Sequence, residues 1–424
     1  MADDAPGRGP TPTPATLRTV AASAAGRLLL GAVAAVALVT VVGLALLWPT
    51  GDGVSIPGAG RATVGAEVRE VHVASCGGPT EQRCRTVVAE VSEGRDEGLR
   101  VSVSLGPSEV SPDLHVGQHV RLIDQSSPAP QAGGDGTAAD DPSAGATGDD
   151  GPVYAFSGVD RRLPLGILAV AFALLGALVA RGRGLLALLG TALSLSLVAL
   201  WLVPAILDGR PPVLTALVGA LAVMFVTTIL TYGVTVQSLA AVTGIGGTLL
   251  VAALLSALWV DLAGLDGKEG DLSSFALQSG GELPLQGILL AGMVIGALGV
   301  ITDTVVSQVS TVAALHRTDP SLPPRRLYAE AFVVGRDHLA ATIHTLVLAY
   351  AGATLPLLLV ASANGVGFGD AVNDASLAEP IVSTLVGSAA LILSVPLSTA
   401  LAAVLVGRLP ARALAGAEHH HHHH

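Results

Sequence analysis

Eight apolar stretches, each eighteen residues or longer and almost free of charge, constrain this chain more than any motif in it. They occupy 27–48, 163–180, 184–203, 213–232, 237–262, 285–315, 338–361 and 381–407. About 20 apolar residues rising 1.5 Å each span the roughly 30 Å hydrocarbon core of a bilayer. A backbone in that medium must satisfy its own hydrogen bonds, and continuous apolar runs of this length do so as helices. Charge supports the reading: charged residues make up 13% of the 424 positions, against about a quarter in soluble domains. The apolar residues are mainly Leu, Ala and Val, with 51 glycines and 3% aromatics. Small residues at this density suit helices that pack closely in lipid. The expected fold class is an all-α polytopic membrane bundle of about eight transmembrane helices, with the bilayer as its first partner.

The first stretch follows 1–26, a Pro-, Thr- and Ala-rich segment expected to be disordered. A cleaved signal peptide is the competing reading for 27–48. The run is long for one and no small-x-small cleavage site follows before Pro49, so an uncleaved anchor is preferred. Between the first and second stretches lies a soluble segment, 60–160. Its β-branched alternations at 62–73, 85–91, 99–105, 119–123 and 153–159 are separated by Gly, Pro, Asp and Ser. That pattern predicts a small β-barrel or sandwich. An aperiodic insert at 125–151 reads as a disordered loop between the last two strands. From Gly51 to Arg162 there are 17 Asp and Glu against 9 Arg, so most of the net charge of −11 sits here. An acidic surface argues against nucleic acid as a partner. The two cysteines, Cys76 and Cys84, also lie here. Two free thiols or half of a metal site are the alternatives to a disulfide. With no further Cys to complete a zinc cage, a disulfide in an oxidising compartment is the preferred reading.

Arginine placement sets the expected orientation. Arg8, Arg18, Arg27, Arg181, Arg183, Arg317, Arg325, Arg326, Arg336, Arg408 and Arg412 all fall on one side when eight helices are threaded in order. Asp208, Asp266, Glu269, Asp271, Glu282, Asp370, Asp374 and Glu379 fall on the other, with Arg161, Arg162, Arg210 and Lys268 as the minority. Both termini are therefore expected in the cytoplasm, with 60–160 extracytoplasmic and 163–407 forming a seven-helix body.

Within that body, polar residues mark candidate sites, because a central Asp costs about 2.5–3.5 kcal/mol on insertion scales. Asp303 is the one charged residue between Leu285 and Leu315, about 20 Å of helix from Arg317 and so near mid-depth. Gly292, Gly296, Gly299, Asp303, Ser307 and Ser310 fall near successive 3.6-residue steps, a face that is small and then polar. The glycine half is suited to helix packing, within one chain or between two copies in a homo-oligomer. The polar half, with Thr302, Gln308 and Thr311 beside it, would line a wet path or a buried hydrogen-bond network. The bland reading makes Asp303 a structural pin. The next helix offers His344 as its partner, with Asp337 seven residues earlier on the same face and His338, Thr342 and Thr345 on another. An imidazole near a carboxylate handles protons near neutrality. A His344 bonded to a backbone carbonyl is the alternative.

Weaker signals are the glycines Gly244, Gly246 and Gly247, the proline Pro396, and a Thr227-Thr228-Thr231-Tyr232-Thr235 cluster, which would frame a broken-helix site or a vestibule. Gly367-Phe368-Gly369-Asp370 matches an intramembrane protease pattern, but it sits in a polar loop and no Tyr-Asp pair occupies an earlier helix. His72, His115 and His119 read as surface residues rather than metal ligands. Residues 419–424 are a purification tag. No nucleotide, haem or hydrolase signature occurs, so no cofactor and no enzyme activity are expected.

The block Gly296-Ala297-Leu298-Gly299-Val300-Ile301-Thr302-Asp303, followed by Val305, Ser307 and Ser310, resembles the YibE/F family of bacterial multi-pass membrane proteins. So do Gly335-Arg336-Asp337-His338, Thr345-Leu346, Leu348-Ala349-Tyr350-Ala351-Gly352 and Leu355-Pro356-Leu357. Two departures are His344, where the family tends to carry an amide, and the long acidic insert. The resemblance implies a bacterial inner membrane, adds weight to Asp303 and names no substrate. Two functions follow as expectations. One is a permease or exporter of a small solute or ion, proton- or cation-coupled through Asp303 with Thr302, Ser307, Ser310, His344 and Asp337 around it. The other is a receptor or assembly factor whose β-domain binds a partner.

Overall fold

The computed structural model describes residues 23–51, 63–76, 82–125, 153–269, 273, 276 and 283–406. Of the expected disorder at 1–26 and 125–151, residues 1–22 and 126–151 lie outside the described residues, as does the tag at 419–424, whereas 23–26 are the cap and first turn of a helix. Two compact units are present, one of Met1–Val54 with Gly176–His424 and one of Ser55–Leu175.

In the second unit, β1 (Thr63–Ser75), β2 (Arg83–Val91), β3 (Arg100–Pro107), β4 (His119–Asp124) and β5 (Tyr154–Val159) form one antiparallel sheet in the order β3-β2-β1-β4-β5. The five alternating stretches of the sequence are these strands. A bulge between Val68 and Glu70 bends the long β1, so its first half pairs with β4 while β2 follows it to its end. The curl brings β3 against β5, so the sheet is a small, curled five-stranded antiparallel one. Inward residues Ala66, Val68, Val87, Ala89, Val91, Val103, Val120 and Leu122 form its core. Cys76 and Cys84 stand at disulfide distance at the loop end of the β1–β2 hairpin, with their Cα atoms 5.0 Å apart.

The first unit is helical. α1 (Ala24–Leu46) is capped by Ser23, whose Oγ accepts from the Gly26 N–H at 2.9 Å. α2 (Arg162–Leu197), which the two units share, holds two of the expected spans, and helical turns run without a break through Arg181-Gly182-Arg183 where the sequence suggests a loop. Gly184 nevertheless lies against the Gly176 carbonyl. A straight helix would separate those residues by about 12 Å, so the axis folds back sharply, and glycines at 182 and 184 permit it. Pro204 has no N–H for the carbonyl of residue 200, and the ladder widens there into a π turn at Val198–Leu202 before α3 (Val203–Leu207).

α4 (Pro212–Tyr232), α5 (Val236–Leu262), α6 (Leu285–Thr318), α7 (Pro324–Ala363), the short α8 (Phe368–Ala371) and α9 (Ala375–Val406) complete the unit. α5, α6 and α9 pack on one another, with α4 against α5 and α6. The core is closely packed: Ala240, Ile245, Leu249, Ile301, Val305, Val309, Val312, Leu391 and Val395 are all at most 1% exposed. Gly244 makes it possible, since a Cβ there would stand 2.9 Å from Val305. α7 lies at the edge. Leu327, Ala331 and Gly335 are its buried residues, and none of its most apolar stretch is buried. Among the described residues, eight helical spans are long and apolar enough to cross a membrane.

Candidate functional site

The register between α6 and α7 decides which polar groups meet. The helices run antiparallel, with Tyr350 Oη 3.6 Å from where a Cβ of Gly296 would stand, and Gly335 against the Gln308 side chain. Between these two crossings, Asp303 faces the first third of α7. Its Oδ2 lies 3.6 Å from His338 Nε2. The expected neighbour His344 does not make this contact. Six residues at about 100° each carry it some 120° round the helix from His338, and it is exposed. Asp337, which shares the His344 face, is exposed as well. The pairing sets Asp303 level with residues just past the charged Arg336-Asp337 step, so the carboxylate is not isolated among apolar levels.

The second finding is the direction in which the stripe points. The Asp303 side chain is 72% exposed. Gly292, Gly296, Gly299 and Ser310 are exposed with it, while Thr302 and Ser307 are half-buried. The periodicity read from the sequence is therefore present as a face, and that face looks outward from the bundle. Among the described residues, apart from the Tyr350 hydroxyl near Gly296, nothing packs on these glycines: a Cβ at Gly292 or Gly299 would meet nothing within 4 Å.

Inward, α6 presents a different set. Gln308 is fully buried, and its Oε1 accepts from Thr399 Oγ1 of α9 at 2.9 Å. The Gln308 amide nitrogen and the Thr304 hydroxyl, one turn apart and both fully buried, have no hydrogen-bond partner among the described residues. Gly335 closes this site, because a Cβ there would lie 2.6 Å from the Gln308 nitrogen. Sequence reasoning placed Gln308 beside the stripe and overlooked Thr399. The available signal was the i, i+4 pair Thr304 and Gln308 on the face opposite the glycines. Its partner 91 positions away had none.

Elsewhere in the unit, α8, which begins inside the Gly367–Asp370 motif, borders a cavity of about 610 Å³ lined by Asp266, Glu269, Phe368, Asn373 and Glu379. An apolar groove of about 240 Å³ adjoins it across Phe368 and Ile381. In the sheet unit, His72 pairs with Glu70 at 3.0 Å. Among the described residues, no three His, Cys, Asp or Glu side chains gather as a metal site.

Eight helical spans among the described residues, long and apolar enough to cross a membrane, with a small curled sheet beside them, are consistent with a multi-helix membrane protein. The chain belongs to the YibE/F-like protein family, whose model matches residues 168–408 and so includes both helices of the pair. No curated protein matches the chain, and no solved structure does.

Proposed function

We propose that the protein is an integral membrane transporter of the bacterial cytoplasmic membrane that moves a small solute or ion and couples the movement to protons or cations at Asp303. Both termini lie in the cytoplasm and the β-domain lies outside, as the arginine bias requires. The observation that carries this reading is the Asp303–His338 pair between two helices long and apolar enough to cross a membrane. Intramembrane ionisable residues are retained where they handle ions or protons, and a carboxylate beside an imidazole can exchange a proton between them. The closely packed centre of the bundle supports a route along the α6–α7 face rather than down the axis of the helices. Thr302, Ser307 and Ser310 supply oxygen donors beside the pair.

Purified protein in liposomes, given an inward pH gradient and an internal pH-sensitive dye, tests this. The wild type is expected to dissipate the gradient at least tenfold faster than empty vesicles, and Asp303→Asn to return the rate close to theirs. An Asp303→Asn protein that folds and keeps full flux refutes the role of the carboxylate. The same closely packed centre favours a second reading, in which the β-domain binds an external partner and the helices hold it in place. That reading expects no flux from either protein.

A further inference from the structure

We infer that the outward face of α6 and α7 is the contact surface of a symmetric homodimer, in which His344 of the partner subunit completes the Asp303 site. The inference rests on α6 and α7 spanning a bilayer and does not depend on transport.

Three observations converge on it. First, Asp303 is 72% exposed and His344 is exposed, on two adjacent helices long and apolar enough to cross a membrane. Acyl chains offer neither group a hydrogen bond, so protein must cover them. Second, Gly292, Gly299 and Gly352 are exposed, and a Cβ at any of them would meet nothing within 4 Å. Glycine in a helix interior is suited to close approach by a neighbour, and among the described residues nothing approaches. Third, Ala341, Thr345, Ala349 and Gly352 form a second exposed line on α7, spaced by four, four and three residues. Thr345 and Gly352 lie seven and fourteen positions beyond His338 and so share its face. Because His338 meets Asp303, the two small-residue lines flank a single groove.

The chemistry of this face selects a second copy as its occupant. It offers an acid on one helix and a base on the other at neighbouring levels. The Asp303–His338 contact and the two crossings, Gly296 at Tyr350 and Gln308 at Gly335, set Asp303 opposite 338–341, so His344 stands roughly 4.5–9 Å further along. Side chains on a helix tilt towards its N-terminus. In antiparallel helices this carries the Asp303 carboxylate and the His344 ring towards each other's level. A two-fold axis parallel to the helices keeps levels unchanged, so each Asp303 meets His344 of the partner subunit, twice, across glycine-lined contacts. Such an isologous contact uses one patch on both copies and closes on itself.

The test is disulfide trapping of the full chain in native membranes, with Gly299→Cys and Gly352→Cys as probes and Leu254→Cys, on the exposed side of α5, as the control. Dimer formation at the two probes at least fivefold above the control is expected, together with a heterodimer cross-link when Asp303→Cys and His344→Cys chains are co-expressed. Gly299→Trp should lower the dimer fraction of the cysteine-intact protein at least tenfold by mass photometry, while a monodisperse monomer peak shows that it still folds. Probe yields equal to the control overturn the inference. So does a monomeric wild type whose mass includes tightly held lipid, since lipid then covers the face. Neither readout involves flux, so a protein that dimerises without transporting, or transports as a monomer, separates this inference from the functional one.

Discussion

At the scale of single residues, the inner face of α6 is the most tightly specified place in the helical unit. Gly335 exists because Gln308 occupies the volume its side chain would fill. A Gly335→Ala methyl forces the amide to move, and that movement breaks the bond from Thr399. A lost hydrogen bond and a strained contact together cost about 1–3 kcal/mol. Thermal unfolding in detergent should show that loss, and Gln308→Ala in the same chain should recover most of it. An unchanged transition temperature for Gly335→Ala would mean that the amide relocates freely. In the sheet, the Tyr154 hydroxyl donates to Asp96 at 2.7 Å. Burial, then this contact, pushes the phenol up to about 12 from its ordinary 10. A folded value above the unfolded one favours the protonated, folded form. The stabilisation is complete below pH 10 and fades as pH rises from 10 towards 12. Alkaline unfolding of the sheet, followed by hydrogen exchange at β5, should therefore have a component in that window that Tyr154→Phe removes.

At the scale of elements, two devices hold segments that local structure alone would leave loose. The Cys76–Cys84 link closes a loop of eight positions at the end of the β1–β2 hairpin. Chain-entropy arguments give a loop of that size about 2–3 kcal/mol. Reduction, or Cys76→Ser with Cys84→Ser, should lower the denaturant midpoint of β1 and β2 by a corresponding amount and leave the helical signal unchanged. Equal midpoints with and without reductant would show that the hairpin is held by its ladder alone. The second device is Asp208, whose carboxylate accepts from the N–H groups of Thr50 and Gly51 at 2.5 and 2.9 Å. These bonds hold its acid below the usual carboxylate range, the Gly51 N–H contributing most. They tie the end of α1 to the turn after α3. Nothing in the local sequence announces this pairing across 157 positions. The strand pattern, by contrast, was legible, because inward and outward positions alternate along each strand and the register of one neighbour fixes the next.

At the scale of the whole molecule, the flux and trapping experiments divide the outcomes. A dimer that dissipates a gradient only with Asp303 intact is a transporter with a shared site. A dimer without flux is a membrane scaffold for the external domain. The sequence by itself determined the eight spans, the five strands, the cysteine pair and the polar stripe through Asp303. Each of these is a local periodicity or composition, set by neighbours along the chain. Tertiary structure alone decided that the stripe looks outward, that His338 rather than His344 meets the carboxylate, and that Gln308 reaches Thr399. A helix turns about 100° per residue, so the direction a side chain faces depends on how helices distant in sequence settle against one another. Here that settling is governed by close contacts such as Gly244 on Val305 and Gly335 on Gln308, and such complementarity of shape leaves no periodic trace in the order of residues.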